Sequence, residues 1–473
     1  MSNNDIFFMP AWKMAEKIKN QEFTSLEITQ AIIERIKKVN PIINAYCIPT
    51  FDSALKKAKQ IDNRIRNNEK VGKIAGVPIS IKDEMRIKGV RTTYGSKIFE
   101  NNIAEEDEIT VKRLKKEDVV ILGKTNMPEF GHHGYTRNLV FGETVNPWNT
   151  NKATGGSSGG AAAAIASGLG PLGLGADGGG SIRAPCSFCG LFGIKATQGR
   201  VPVHPENSTL ADTLLDQYGP LARNVKDAAL MLDILKGPYE FDKFSLPTQN
   251  ISYFDHVDEI QKNLKIGYSL DLGFVKALDP EVEKMVIESV YKFEELDYNI
   301  EKVKIKLRKP EFAFNIIYTT YFAYEFAPLL KEWKDRMTPS LVRMIEAGLS
   351  FNAIDYMKAL DIRSNLYERV AQYFKDYDIL ITPTTAIPAF NKEEEPPMVI
   401  NGKSVPPTTF TAFTFPFNLT GHPAASIPCG WSKEHTPIGM QIVGNRFEDL
   451  KVLQVAKAFE NIAPWQDKRP NLL

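Results

Sequence analysis

The chain has 473 residues, with 58 lysines and arginines against 57 aspartates and glutamates, for a formal net charge of +1. That balance excludes the basic footprint of a nucleic-acid binder or of a protein held to an anionic membrane. Hydrophobic residues make up 43% and charged residues 24%, the ordinary composition of a globular protein that buries a large core.

The first 70 residues predict a helical layer. The opening stretch, MSNNDIFFMPAWKMAEK, lacks the charged and apolar regions of a signal peptide. Thr24-x-x-Glu27 is a capping box that opens an amphipathic helix over 26–39, which Asn40-Pro41 stops. A second, lysine-rich helix covers 52–66. Residues 76–83, GVPISIKD, read as a buried strand with Lys82 at its end. A lysine there is either a snorkelling surface group or a buried amine with a task. Another buried strand follows at 119–123, then a loop over 124–134 and a turn at 146–149.

Between 154 and 197 glycine is densest, around two serines, Ser157 and Ser181, set 24 residues apart. Glycine at that density marks backbone that turns sharply or approaches a ligand closely. A helix over 161–166 and a strand over 171–176 separate the two glycine loops.

Beyond 197 the chain passes through 219–223 into a helix at 225–235, then a polar surface excursion at 237–262. A strand at 264–268, helices at 280–296 and 352–374, and a buried strand at 379–383 come next. Residues 413–460 are strand-rich and end in a helix at 448–460. Strands alternating with helices predict an α/β fold, one domain around a large central sheet. No apolar run reaches the roughly 18 residues of a membrane span.

Four cysteines, Cys47, Cys186, Cys189 and Cys429, are too few for a disulfide framework and suit a reducing cytoplasm. Cys186 and Cys189 have a metal-like spacing but no partner ligands, so no metal is expected and the thiols read as packed small side chains.

Two short patterns compete for the glycine-rich segment. Residues 155–159, GGSSG, fit a nucleophile elbow, but the preceding NTNKAT is not a strand and His204, His256, His422 and His435 have no compelling setting. Residues 173–178, GLGADG, fit a dinucleotide fingerprint, but two more glycines follow where a helix should open. A third reading joins Lys82, Ser157 and Ser181. A serine needs a base to become a nucleophile, and burial lowers the pKa of lysine enough to make it one. The N–H groups of Gly178, Gly179, Gly180 and Ser181 would face the oxyanion.

These residues resemble the amidase signature family of serine hydrolases. The resemblance rests on GVPxxxKD at 76–83, GGSSGG at 155–160 and DGGGSIRAPCSFCG at 177–190. It extends to KTN at 124–126, NPWN at 146–149, GPLAR at 219–223, FNLTGHPA at 417–424 and PIGMQIVG at 437–444. It implies a single domain over 1–473 with a twisted, mixed sheet flanked by helices. Residues 76–200 would be its signature core and 237–415 a more variable substrate region. It also implies Lys82 as base, Ser157 as a bridging serine after a cis peptide, and Ser181 as the acyl-forming nucleophile. Asp177, Arg183 and Ser158 would brace the loop, and Gly131 would line the acyl pocket. Tyr135 lies nearby, and His132 and His133 are expected at the loop surface. Gly178 departs from the family, which often has a bulkier residue there.

The implied activity is hydrolysis of a small-molecule amide without a cofactor, by a cytoplasmic protein that family members suggest is a homodimer. The alternative is the glutaminase subunit of a glutamyl-tRNA amidotransferase, which works within a complex. That subunit carries a tyrosine cluster where this chain has only Tyr356 in 351–359. A scaffold without activity would be expected to have lost Lys82, Ser157 or Ser181, and all three stand.

Overall fold

Runs rich in isoleucine, leucine and valine pair at the centre of the molecule, and alanine-rich or amphipathic helices lie against them. In the computed structural model, which describes residues 6–203 and 213–472, these runs form an eleven-stranded sheet. In chain order the strands are β1 (Tyr46–Pro49), β2 (Pro78–Lys82), β3 (Val120–Thr125), β4 (Leu172–Ala176), β5 (Phe192–Lys195) and β6 (Tyr218–Ala222). They continue with β7 (Lys265–Tyr268), β8 (Asn299–Lys302), β9 (Ile379–Pro383), β10 (Ala424–Trp431) and β11 (Pro437–Gly444).

Their spatial order is β1-β3-β2-β4-β6-β5-β10-β11-β9-β7-β8. Strands β3, β2 and β4 run parallel, as do β9, β7 and β8. Between β4 and β9 every neighbouring pair is antiparallel. Every residue of β2, β4, β6, β9 and β11 is buried, as in a sheet covered on both faces. The expected α/β domain with a mixed central sheet is the one observed.

Thr24 and Glu27 form the expected capping box, with reciprocal bonds of 3.1 and 2.8 Å. The helix they open does not stop at Pro41 but spans Ser25–Ile43. In a last turn the missing proline N–H removes a single bond. Asn40 Oδ1 then accepts the N–H groups of Ala45 and Tyr46, and Asn44 ends the helix in the left-handed region.

Three further corrections concern connections. Lys124 and Thr125, expected in a loop, extend β3, because Lys124 is buried against Asp83 with Nζ–Oδ1 at 3.2 Å. Residues 218–222, expected as a connection, form β6. Residues 310–349 are helical, which was not expected; the two longer helices are Pro310–Phe326 and Pro339–Leu349, with the short helix Leu330–Trp333 between them. The first is aromatic and β-branched on most of its surface, so it lacks the polar stripe that marks a helix in sequence.

The parallel pair β2 and β4 opens the crevice where ligands bind in such sheets, beyond the carboxyl ends of the strands. Lys82 is the last residue of β2, and the second glycine loop leaves β4 at Asp177. The helix Gly159–Ala166 is wholly buried and begins at the same edge. Its Gly160 N–H donates to Asn126 O at 3.2 Å, and a Cβ there would lie 2.4 Å from the Asn126 nitrogen. Only glycine lets the helix sit that close.

Candidate active site

Ile79 and Ile81 are fully buried in β2, and the strand carries Lys82 inward until 1% of the residue is exposed. Its Nζ donates to Ser157 Oγ at 2.7 Å and lies 3.0 Å from Glu84 Oε2. The Gly156–Ser157 peptide is cis, as the resemblance implied. Ser181 lines the same cavity as Lys82 and Ser157. Ser158 pins the two glycine loops together. Its N–H donates to Ser181 O at 3.1 Å, and its hydroxyl bonds the carbonyl and N–H of Ala176 at 3.1 and 3.3 Å.

Asp177 and Arg183 are both fully buried and meet through two contacts, Nε–Oδ2 at 2.9 Å and Nη2–Oδ1 at 2.8 Å. Arg183 also donates to Thr414 O, Gln441 Oε1 and Asn418 Oδ1. Burial alone would raise the Asp177 pKa, but the guanidinium and the Asn418 amide hold this carboxyl well below the usual range. One expectation changes here. The Gly180 N–H donates to Asp177 Oδ1 at 2.8 Å, so it braces the loop instead of facing an oxyanion. At Gly180, φ is +129° and a Cβ would collide with Thr414 Oγ1 at 2.3 Å, so glycine is required.

Two cavities meet at Ser181. One, of about 350 Å³, holds Lys82, Glu84, Ser157, Gly178 and Asp216. The other, of about 560 Å³, is walled by Phe312, Phe314, Phe410, Phe415 and prolines 396, 406 and 407. Gly131 and Tyr318 border both, and Tyr318 donates to Gly131 O at 3.3 Å. The histidines expected at the loop surface are not there. His132 is buried between Glu129 O at 2.6 Å and Ser340 Oγ at 2.9 Å. His133 stacks on Tyr135 along the larger cavity. Burial, then Arg137 and Arg343, pushes His133 down to about 3.

A family model described as Amidase matches residues 27–453. The chain belongs to the amidase family. It is 34% identical to an acylamidase of Rhodococcus erythropolis over 99% of this chain and 98% of that protein. It superposes on a bacterial aryl acylamidase of the amidase signature family with a TM-score of 0.92, at 29% identity and 97% coverage of both chains. It also resembles a glutamyl-tRNA(Gln) amidotransferase component of Thermotoga maritima. There the TM-score is 0.79 at 27% identity, over 99% of this chain and 98% of that one. The protein is thus a hydrolase of amide C–N bonds.

Within this amidase the competing motif readings fail for local reasons. Gly173 and Gly175 lie inside β4 and open no helix. Ser157 precedes the helix Gly159–Ala166, but among the described residues no strand leads into it. His422 is buried and bonded to Thr420, His256 pairs with Glu259 at the surface, and His435 is exposed; His204 lies outside the described residues. Cys186 and Cys189 are free and buried, and burial raises both thiols.

Sequence reasoning missed Glu84, Asp216 and Tyr318, and picked out Asn418 only within the 417–424 motif, without a role. Glu84 follows Lys82 by two residues and was open to inspection. Asp216 sits in a stretch without periodicity, and burial together with the Glu84 carboxylate pushes it up to about 8.

Proposed function

We propose that this amidase hydrolyses a small-molecule carboxylic amide through an acyl-enzyme on Ser181, with Ser157 relaying protons between Ser181 and Lys82. The observation that carries this reading is the 2.7 Å contact between a wholly buried lysine amine and Ser157 in the cavity that Ser181 lines. In the attack step, neutral Lys82 takes a proton through Ser157 as Ser181 Oγ bonds to the carbonyl carbon. The N–H groups of Gly178, Gly179 and Ser181 receive the developing oxyanion. The proton then passes back along the relay to the leaving nitrogen, and the C–N bond breaks. Water repeats the cycle on the ester and releases the acid.

The test is a purified, partner-free protein given a panel of acyl amides, with a fluorophosphonate probe read by peptide mass spectrometry. Turnover with the label on Ser181 supports the reading. No turnover, or a label elsewhere, rejects it.

Similarity to an amidotransferase component supports a second reading, a glutaminase within a complex. The higher TM-score with the acylamidase, 0.92 against 0.79, favours the first. Glutamine hydrolysis that appears only with partner proteins would reverse that order.

A further inference from the structure

The two cavities that meet at Ser181 differ in what they can accept. Protonation of the leaving nitrogen has to come from Ser157 and Lys82, and both line the smaller cavity, whereas neither lines the larger. The amine half of the substrate therefore occupies the smaller cavity and the acyl half the larger. The larger one offers phenylalanine and proline walls, which suit an apolar acyl group. The smaller one, at about 350 Å³, is far larger than ammonia needs.

Its charge is unbalanced on the amine side. Glu84 Oε2 contacts Lys82, but Glu84 Oε1 is buried and accepts no hydrogen bond among the described residues. Asp216 lines the same cavity, and its Oδ1 would lie 3.5 Å from a Cβ on Gly178. Glycine at 178, where the family often carries a bulkier residue, leaves that carboxyl open to the cavity. A general base has to be neutral, and once Lys82 is neutral Glu84 loses its ion-pair partner. Arg86 also lines the cavity, but Glu106 at 3.3 Å and Glu108 at 3.5 Å engage its guanidinium. Glu84 and Asp216 then share one cavity without a lysine ammonium to offset them. The same cavity is lined by a cluster of rings, with Phe130 packed on Phe326 at 4.1 Å between centroids and Phe99 edge-on to Tyr94 at 5.3 Å. Aromatic faces with carboxylates are how proteins hold an alkylammonium.

From this the geometry points to a substrate whose leaving amine carries a second, positively charged amino group, an N-acylated diamine with an apolar acyl chain, held by Asp216 and Glu84. This rests on the Ser181–Ser157–Lys82 reading above. The incoming ammonium becomes the countercharge of Glu84 when Lys82 has given up its proton. Hydrolysis breaks the C–N bond, places the acyl group on Ser181 and releases the diamine, whose new amine takes the proton from the relay.

The experiment compares three octanoyl amides on the intact protein at pH 9, where the Asp216 carboxyl is ionised. One is the monoamide of butanediamine, the second is the pentylamide, which puts a methyl group in place of the ammonium, and the third is the amide of aminobutanoate, which carries a negative charge there. The expected order of kcat/KM is cationic over neutral over anionic, with about tenfold or more between the first two, and Asp216→Asn brings that ratio to near one. Equal rates for cationic and neutral amides overturn the inference while leaving the amidase reading intact. So does a ratio that Asp216→Asn leaves unchanged, or no turnover of any of the three by protein whose Ser181 takes the fluorophosphonate. Loss of that label would instead remove the reading of the nucleophile itself.

Discussion

Arg183 grips Asp177 through two nitrogen–oxygen contacts of 2.8 and 2.9 Å, and neither side chain reaches solvent. Through Asp177 the pair also fixes the N–H groups of Gly180 and Ile182, on either side of Ser181. Breaking such a pair from one side leaves a buried charge without its partner, which costs about 3–5 kcal/mol. Asp177→Asn is expected to lose stability on that scale in urea unfolding and to lower kcat as the loop relaxes. Arg183→Lys is expected to be nearly as harmful, because an ammonium cannot reproduce the planar fork that also serves Gln441 and Asn418. A loss under about 1 kcal/mol in both variants would show that the pair does not hold the loop.

The proposed relay makes a prediction about additivity. Lys82→Ala and Ser157→Ala each remove one link of the same proton path, and general-base catalysis is worth roughly 10²–10⁴ in rate. Groups that act as a unit give effects that do not add. The double variant is therefore expected to be about as slow as either single one in kcat. Ser181→Ala removes the nucleophile and should also abolish covalent labelling. Independent, multiplying losses for Lys82 and Ser157 would break the relay into separate contributions.

His422 supplies a stability test away from the reacting atoms. Burial, then Lys195 and Arg446, pushes its pKa down to about 3, while an unfolded histidine titrates near 6.5. The unfolded chain thus binds more protons between those values, so this residue's contribution is full above about pH 6.5 and falls as pH drops toward 3. Replacing it with asparagine removes that term. The difference in unfolding free energy between the natural protein and His422→Asn should shift toward the variant by about 1.4 kcal/mol for each pH unit below 6.5. A difference that stays constant between pH 7 and pH 5 would mean that His422 takes up its proton in the fold as readily as in the unfolded chain.

Much of this was legible in the chain. Apolar runs bounded by turn residues located β2, β4 and β9, and the capping residue Thr24 marked a helix start. The catalytic candidates Lys82, Ser157 and Ser181 stood out through glycine spacing and through resemblance to a known family. The walls of the two cavities were not legible. Phe314, Tyr318 and Phe322 lie along a helix whose aromatic residues show no polar face, and Phe410 and Phe415 arrive from far along the chain. The identity of a cavity wall depends on which distant segments the sheet order brings together, and local periodicity carries no record of that. The Gly180 N–H was misassigned for a similar reason. Spacing places an N–H in a loop, but only the buried Asp177 carboxylate decides where it points.

Asp216 gives the substrate inference a pH signature. Burial and the Glu84 carboxylate push its carboxyl up to about 8, while Lys82 pulls it down and Asp177 adds to the rise. Below that value the group is protonated and neutral, and above it the group is an anion that attracts an alkylammonium more strongly. The preference for the diamine monoamide over its methyl counterpart should therefore grow from pH 7 to pH 9. It should level off before the substrate ammonium itself deprotonates near 10.4. Titration of the relay acts on both amides alike and cancels in the ratio. Asp216→Asn should give a ratio that is low and flat across the same range. A ratio independent of pH in the natural protein would show that the carboxyl of Asp216 does not meet the charged end of the substrate.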